Sequence, residues 1–428
     1  MARCLSFLLF AVVLAGCFEP NRAYWLTKPA RDAAAVLPAE TNPEKFYQRL
    51  AVVEVDEQGD LWSGRQVTRA RKMIADAPKI PLLIVYVHGW QNNARPSNRD
   101  LATFSTYLEK LSKVPNVARY YAVCGVYMGW RGASFPKKIM GIDYPLSFGS
   151  FWSRLDATNR VAGVPMTRAI AEIVSAARTY HGGRGVSVAI GYSLGGRVLE
   201  RTFGQALVAQ HAYAADQDGA LLPADLTILI NSASESLYAR EIKLALKDWH
   251  SPRPAFISIT SDTDVVTTYA WPFAATFSHL FGGFRTYYHE GQAEAQKSYL
   301  FTTAGHKEPL FTHQVTALGE ESVPGGTTPF AYNAEHASLR KFFVTGADNK
   351  AYAFSLKAMP EHRAGAMPVG GYWVFDVPPM ILKGHGGVFK EGGIFSVPVT
   401  DLLAALSSIT KTEEINSTPR VRLSRDTP

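Results

Sequence analysis

The sequence predicts an α/β fold: a mostly parallel sheet with helices on both faces. Two observations carry this expectation. Short apolar runs of strand length alternate along the chain with longer stretches of helical periodicity. The strand runs are also continuously apolar rather than alternating, which is the pattern of strands buried on both faces. Length and composition agree, since 428 residues with 47% hydrophobic and 19% charged residues can bury a large core without metals or disulfides. One decorated domain accounts for the length better than three small ones.

The elements follow in order. Leu50 to Val55, the turn Glu57-Gln58-Gly59-Asp60 and then Leu61-Trp62 predict a strand–turn–strand hairpin at a sheet edge, with a helix from about Gly64 to Ala77 after it. Pro81 to Val87 is a buried strand and Leu101 to Leu111 a helix. Tyr120 to Met128 is the next strand, and Thr158 to Tyr180 reads as one long helix. Val186 to Ile190 leads into a helix over Leu194 to Gln210, and the runs Leu226 to Ile230 and Ala255 to Ile259 extend the sheet. A strand near Tyr372 to Leu382 and a helix near Val399 to Leu406 close the fold. Residues 270 to 370 are rich in aromatics, glycine and threonine with poor periodicity, which predicts a cap or long insertion before the last strand. Thr410 to Pro428 is a polar tail, expected to be disordered.

The N-terminus carries its own signal. Arg3 precedes an apolar run from Leu5 to Gly16, too short to span a bilayer and suited to a signal peptide. Its end, Leu14-Ala15-Gly16-Cys17, resembles a bacterial lipobox, and the resemblance implies that Cys17 receives a diacylglycerol and becomes the first mature residue. The expected home is then the cell envelope, and Phe18, where an aspartate would signal retention at the inner membrane, favours the outer membrane facing the periplasm. Residues 17 to about 45, with proline, alanine and charge but no apolar period, read as a tether. Of three cysteines, Cys4 and Cys17 belong to this leader, which leaves Cys124 alone in an apolar strand and excludes an internal disulfide. The formal charge is +7, and loss of residues 1 to 16 removes one arginine and no acid, leaving +6. Basic residues are scattered without a run, which argues against nucleic-acid binding.

Chemistry is concentrated at Gly191-Tyr192-Ser193-Leu194-Gly195. This is a GxSxG pattern between a predicted strand and a predicted helix, the context in which a serine hydroxyl is thrust above a sheet. About a hundred residues earlier the strand Leu82 to Val87 ends in His88-Gly89-Trp90. Together these motifs resemble the α/β-hydrolase superfamily, in particular its bacterial esterase- and lipase-like members, over roughly residues 46 to 410. The resemblance implies an α/β-hydrolase fold with Ser193 as nucleophile. It also implies an oxyanion hole from the amides of Trp90 and Leu194, a structural role for His88, and no cofactor or metal. It orders the partners as serine, acid, histidine. The acid falls just past the strand Ala255 to Ile259, where Asp264 has the better spacing and Asp262 is the alternative. Glu235, after the preceding strand, reads instead as a helix-start charge. Among the downstream histidines, His385 follows the last predicted strand, where the family carries its base, and His306 is the alternative.

The resemblance implies acyl-enzyme chemistry at Ser193 without fixing a substrate, and it is the expected cap that favours carboxylic esters, lipid or acyl esters foremost. The aromatics Tyr269, Trp271, Phe273, Phe277, Phe281 and Phe284 of the expected cap would suit acyl chains. Val126 to Arg131 and Leu229 to Ala233 would line the floor near the serine. The contrasting expectation is a non-catalytic envelope lipoprotein that uses this fold as a binding scaffold; it requires a missing or misplaced triad member.

Overall fold

A computed structural model describes residues 20–26, 46–113, 115–134, 138–139, 142–143, 150–182, 185–213, 223–249, 254–261, 263–278, 282–289, 292–320, 340–345, 351–359, 370–377, 382 and 384–385. The architecture is α/β. Strands β1 (Leu50–Glu54), β2 (Ile80–Val87), β3 (Tyr121–Gly129), β4 (Val186–Tyr192), β5 (Leu226–Ile230) and β6 (Phe256–Ser261) belong to one central sheet. Between and around them lie helices α1 (Gly64–Ala75), α2 (Arg99–Lys113), α3 (Pro115–Tyr120), α4 (Phe151–Val161), α5 (Val164–Arg178), α6 (Leu194–Tyr213) and α7 (Ser236–Ala245). After β6 come helix α8 (Trp271–Ser278) and strands β7 (His313–Glu320), β8 (Arg340–Thr345), β9 (Ala351–Ala358) and β10 (Tyr372–Val377). The sheet order is β1-β3-β2-β4-β5-β6-β10-β7-β9-β8, parallel from β1 through β7 and antiparallel at β9 and β8.

Strand pleating explains why the sheet is covered twice. In β2, Leu83, Val85 and Val87 enter one core, while Leu82, Ile84 and Tyr86 enter the other. The first core also takes in the apolar faces of α1, α5 and α6, and the second takes Leu101, Phe104, Leu108 and Leu111 of α2. Cys124 is fully buried in β3, and burial pushes its thiol up to about 11, so it packs as a small hydrophobe. No helix among the described residues is long and apolar enough to cross a membrane.

Four expectations need correction. The hairpin at Leu50 to Trp62 is reduced to its turn: the Asp56 amide donates to Asp60 and the Trp62 amide to Glu54, but the returning arm makes only an isolated antiparallel bridge, Leu61 to Val55, while β1 pairs in parallel with β3. The helix expected from Thr158 to Tyr180 is two helices, because Gly163 leaves the helical region at ψ −174° and Pro165 opens α5 without an N–H to continue the ladder. Much of the span assigned to a cap instead adds β7, β9 and β8 to the sheet beyond β10. The supposed tether is partly pinned to the body, as residues 20–26 lie against the sheet edge. Cys17, the rest of the tether, the closing helix and the polar tail fall outside the described residues.

Ile84 is wholly buried in the central strand, where its side chain cannot be replaced by water. Ile84→Ala is expected to cost about 3–4 kcal/mol in chemical denaturation, with the denaturant slope unchanged.

Candidate active site

The site lies where the strand order reverses. From β2 the chain moves outward to β3 and then returns to the other flank of β2 as β4, the switch point at which open α/β sheets leave room above the carboxyl ends of their strands. Ser193 occupies the single turn between β4 and α6 with φ +53°, a left-handed conformation unusual for a side-chain-bearing residue. The flanking glycines make the turn possible. A Cβ on Gly191 would lie 2.7 Å from the Gly195 carbonyl oxygen, and one on Gly195 would lie 2.0 Å from the carbonyl oxygen of Val87. The turn is tied down from below, since the Ser193 amide donates to Ile230 (2.9 Å) and its carbonyl accepts from Ala233 (3.1 Å).

The Ser193 hydroxyl donates to His385 Nε2 at 2.7 Å, and His385 Nδ1 donates to Asp264 Oδ2 at 2.7 Å. Asp264 is fully buried at the end of β6, and its Oδ1 accepts the amides of Val266 (2.9 Å) and Thr267 (3.3 Å). Burial alone would raise this carboxyl, but the His385 and Thr267 hydrogen bonds outweigh it and hold the group below the usual carboxylate value. The acid therefore stays ionised and fixes which imidazole nitrogen carries the proton, leaving Nε2 as acceptor.

The structure thus brings together Ser193, Asp264 and His385. Asp262 lies outside the described residues. His306 stands apart, with its Nε2 2.8 Å from the Thr267 hydroxyl. His88 is buried behind the crevice: Nδ1 donates to the Gly89 carbonyl (3.0 Å), Nε2 accepts the Trp130 amide (3.1 Å), and the ring stacks on Trp130. Burial lowers it to about 4, so it is neutral and fully engaged at neutral pH. Leu194 begins α6, where the first amides have no partner within the helix. Gly89 abuts the serine so closely that a Cβ on it would lie 3.0 Å from the Ser193 Cβ, and Trp90 follows on that loop.

Three supports for His385 were not read from the sequence. The Tyr192 hydroxyl donates to the His385 carbonyl, and burial beside Asp264 keeps that hydroxyl protonated. Asn231, at φ +45° past the end of β5, donates through Nδ2 to the Gly384 carbonyl (2.9 Å) and accepts the Ser261 amide (3.1 Å). The Thr263 hydroxyl accepts the Gly384 amide at 2.9 Å. A turn residue next to Ser193 and an asparagine closing a strand are the only sequence signals for this set. Of the segments expected to floor the site, Ile230 and Ala233 meet the serine turn through backbone groups, whereas Trp130 packs on His88. Trp271 is core rather than lining, buried under Arg197, while Tyr269 and Phe273 are exposed. Phe281 lies outside the described residues.

Glu235 precedes α7 as its N-cap residue and pairs with Arg197 and Arg201 of α6. Burial would raise it, but the two guanidiniums hold it down to about 2. Comparison with protein-family models matches none of them, and comparison with curated proteins finds no match.

Because the folded value of Glu235 lies below its ordinary value, its stabilisation is present above pH 4.5 and is lost as pH falls toward about 2. Glu235→Gln is expected to cost roughly 2–4 kcal/mol at pH 7, since it leaves two arginines short of a counter-charge. Denaturation measured from pH 7 to 2.5 should show a flatter acid limb in the variant than in the parent chain.

Proposed function

We propose that this chain is a serine hydrolase. The observation that carries the reading is the unbroken hydrogen-bonded line from Ser193 through His385 to Asp264, each link 2.7 Å. Such a line is what nucleophilic catalysis needs: a base within reach of a hydroxyl, itself oriented by a third group. His385 takes the Ser193 proton as the oxygen attacks a carbonyl carbon, and Asp264 stabilises the imidazolium that forms. The negative charge gathering on the carbonyl oxygen would be met by the amide of Leu194 at the start of α6 and by that of Trp90. His385 then gives its proton to the leaving group, and a water molecule activated by the same imidazole releases the acid from Ser193.

Within this class the reading is hydrolysis of carboxylic esters, with lipid or acyl esters as the favoured substrates. Supporting it is a run of aromatic rings that starts at Trp90, which meets Phe151 edge-on at 5.3 Å, and continues through Trp152 to Phe273 at 6.4 Å. These rings give an apolar margin beside the oxyanion loop without introducing a fixed charge.

The test is labelling with a fluorophosphonate probe together with ester kinetics. The parent chain should label, Ser193→Ala should not, and His385→Ala should label far more slowly while His306→Ala stays close to the parent. Asp264→Asn is expected to lower kcat by about 10⁴-fold, because the histidine would then adopt the wrong tautomer. Absence of labelling in the folded parent would move the reading to a non-catalytic envelope lipoprotein that binds through the same fold. Asn231→Ala frees the Gly384 carbonyl and lets the histidine drift. It should lower kcat by about 10- to 100-fold with KM nearly unchanged, the split that marks a positioning residue rather than a binding one.

A further inference from the structure

Parallel strands end on one edge of a sheet, so the carboxyl ends of β1, β2, β3, β4 and β6 share one side of this molecule with Ser193 and Asp264. The N-terminal segment is fastened to that same side. The amides of Tyr24 and Trp25 each donate at 2.8 Å to the buried carboxylate of Glu54, the last residue of β1, and Gln66 completes its shell at 2.9 Å. The Trp25 indole donates to the carbonyl of Ala94, and Arg95 covers the Tyr24 ring at 5.5 Å. Ala94 and Arg95 lie on the loop after β2 that also carries Trp90. Pro20 and Asn21 line a narrow cleft against Asn93, Ala94, Gly129 and Trp130.

Only three residue steps separate Pro20 from Cys17, the cysteine of the lipobox-like sequence. Fully extended they reach about 10 Å. A diacylglycerol on Cys17 would therefore hold the carboxyl edge of the sheet within that distance of the membrane surface, on a short leash rather than a long tether. A second observation meets the first. Beyond Asp264, on the same edge, Val265, Tyr269 and Phe273 recur at intervals of four and are 61%, 72% and 53% exposed. Val265 caps a π-helical turn over Val266–Ala270 that carries Tyr269 and runs directly into α8, which carries Phe273, and a run of large apolar groups open to water marks a contact surface.

We propose that the mature lipoprotein lies with this carboxyl edge against the bilayer that holds its own anchor, with Tyr269 and Phe273 entering the lipid interface. The bilayer is the occupant because the anchor leash and the apolar stripe converge on one edge from opposite sides of Ser193. If the serine hydrolase reading above holds, the consequence is a substrate class: ester lipids drawn from the same membrane, without release into water.

The test uses the full-length mature lipoprotein reconstituted into phosphatidylethanolamine–phosphatidylglycerol vesicles. Tyr269→Cys and Phe273→Cys place an environment-sensitive fluorophore on the stripe, and Thr179→Cys places it after α5 at the opposite edge. Cys124 is buried and a diacylglycerol on the Cys17 sulfur would block that thiol, so the introduced thiol takes the label. The labels at 269 and 273 should shift to the blue and be quenched by spin-labelled lipid several-fold more than the label at 179. Equal quenching at all three positions, or none in vesicle-bound protein, overturns the proposal, as does a mature chain whose mass shows no acyl group at Cys17. Fluorophosphonate labelling of the same preparation is read separately. Oriented quenching without labelling upholds the membrane-facing edge and removes only the hydrolytic reading.

Discussion

The backbone conformation of one residue constrains everything around this site. Ser193 is forced to φ +53° by a turn that passes from β4 into α6 with no intervening loop. That geometry leaves no room for a Cβ at Gly191 or Gly195, because the backbone of Gly196 and Val87 already fills the space. Strain of this kind costs roughly 1–3 kcal/mol and persists only where the surroundings over-determine it. Here the surroundings are the two cores on either side of the sheet and the backbone hydrogen bonds from Ile230 and Ala233. The hydroxyl stands at the crevice because the packed body leaves the turn no other conformation.

Each neighbour of the serine is fixed by the end of a different strand. Asp264 belongs to the turn after β6, Asn231 to the end of β5, Tyr192 to β4 itself, and His88 with Gly89 to the end of β2. His385 lies outside the helices and strands and is held through its backbone and its neighbour's as well as through its ring. Its carbonyl is bonded to Tyr192, and the carbonyl and amide of the preceding glycine to Asn231 and Thr263. Gly384 and His385 are thereby tied to the sheet edge.

Much of this was legible in the sequence, and the exceptions have physical causes. Parallel strands buried on both faces are written as unbroken apolar runs, so β2, β3, β4, β5 and β6 were readable, as was the serine between a strand and a helix. Strands β7, β9 and β8 were not, because antiparallel strands near a sheet edge need no such run: in Ala351–Ala358 the large residues Tyr352, Phe354 and Leu356 merely alternate with small and polar ones. The break before α5 was written in Gly163 and Pro165 but was masked by the helical period on both sides. The acid and the histidine were open to choice from spacing alone, since a 121-residue separation says nothing about which of several histidines returns. Asn231 and Thr263 were invisible as supports, because their role is to bind backbone atoms more than a hundred residues away.

Those separations have a consequence for how the molecule comes into being. The contacts that assemble the site span 121, 153 and 192 residues, so it is built from strongly non-local pairings. Closing such long loops comes late in folding, after the central strands have paired. A growing chain emerging from the ribosome would hold Trp90, Ser193 and Asp264 long before His385 was synthesised. The order of the residues along the polypeptide thus leaves Ser193 without its imidazole partner until nine-tenths of the protein exists.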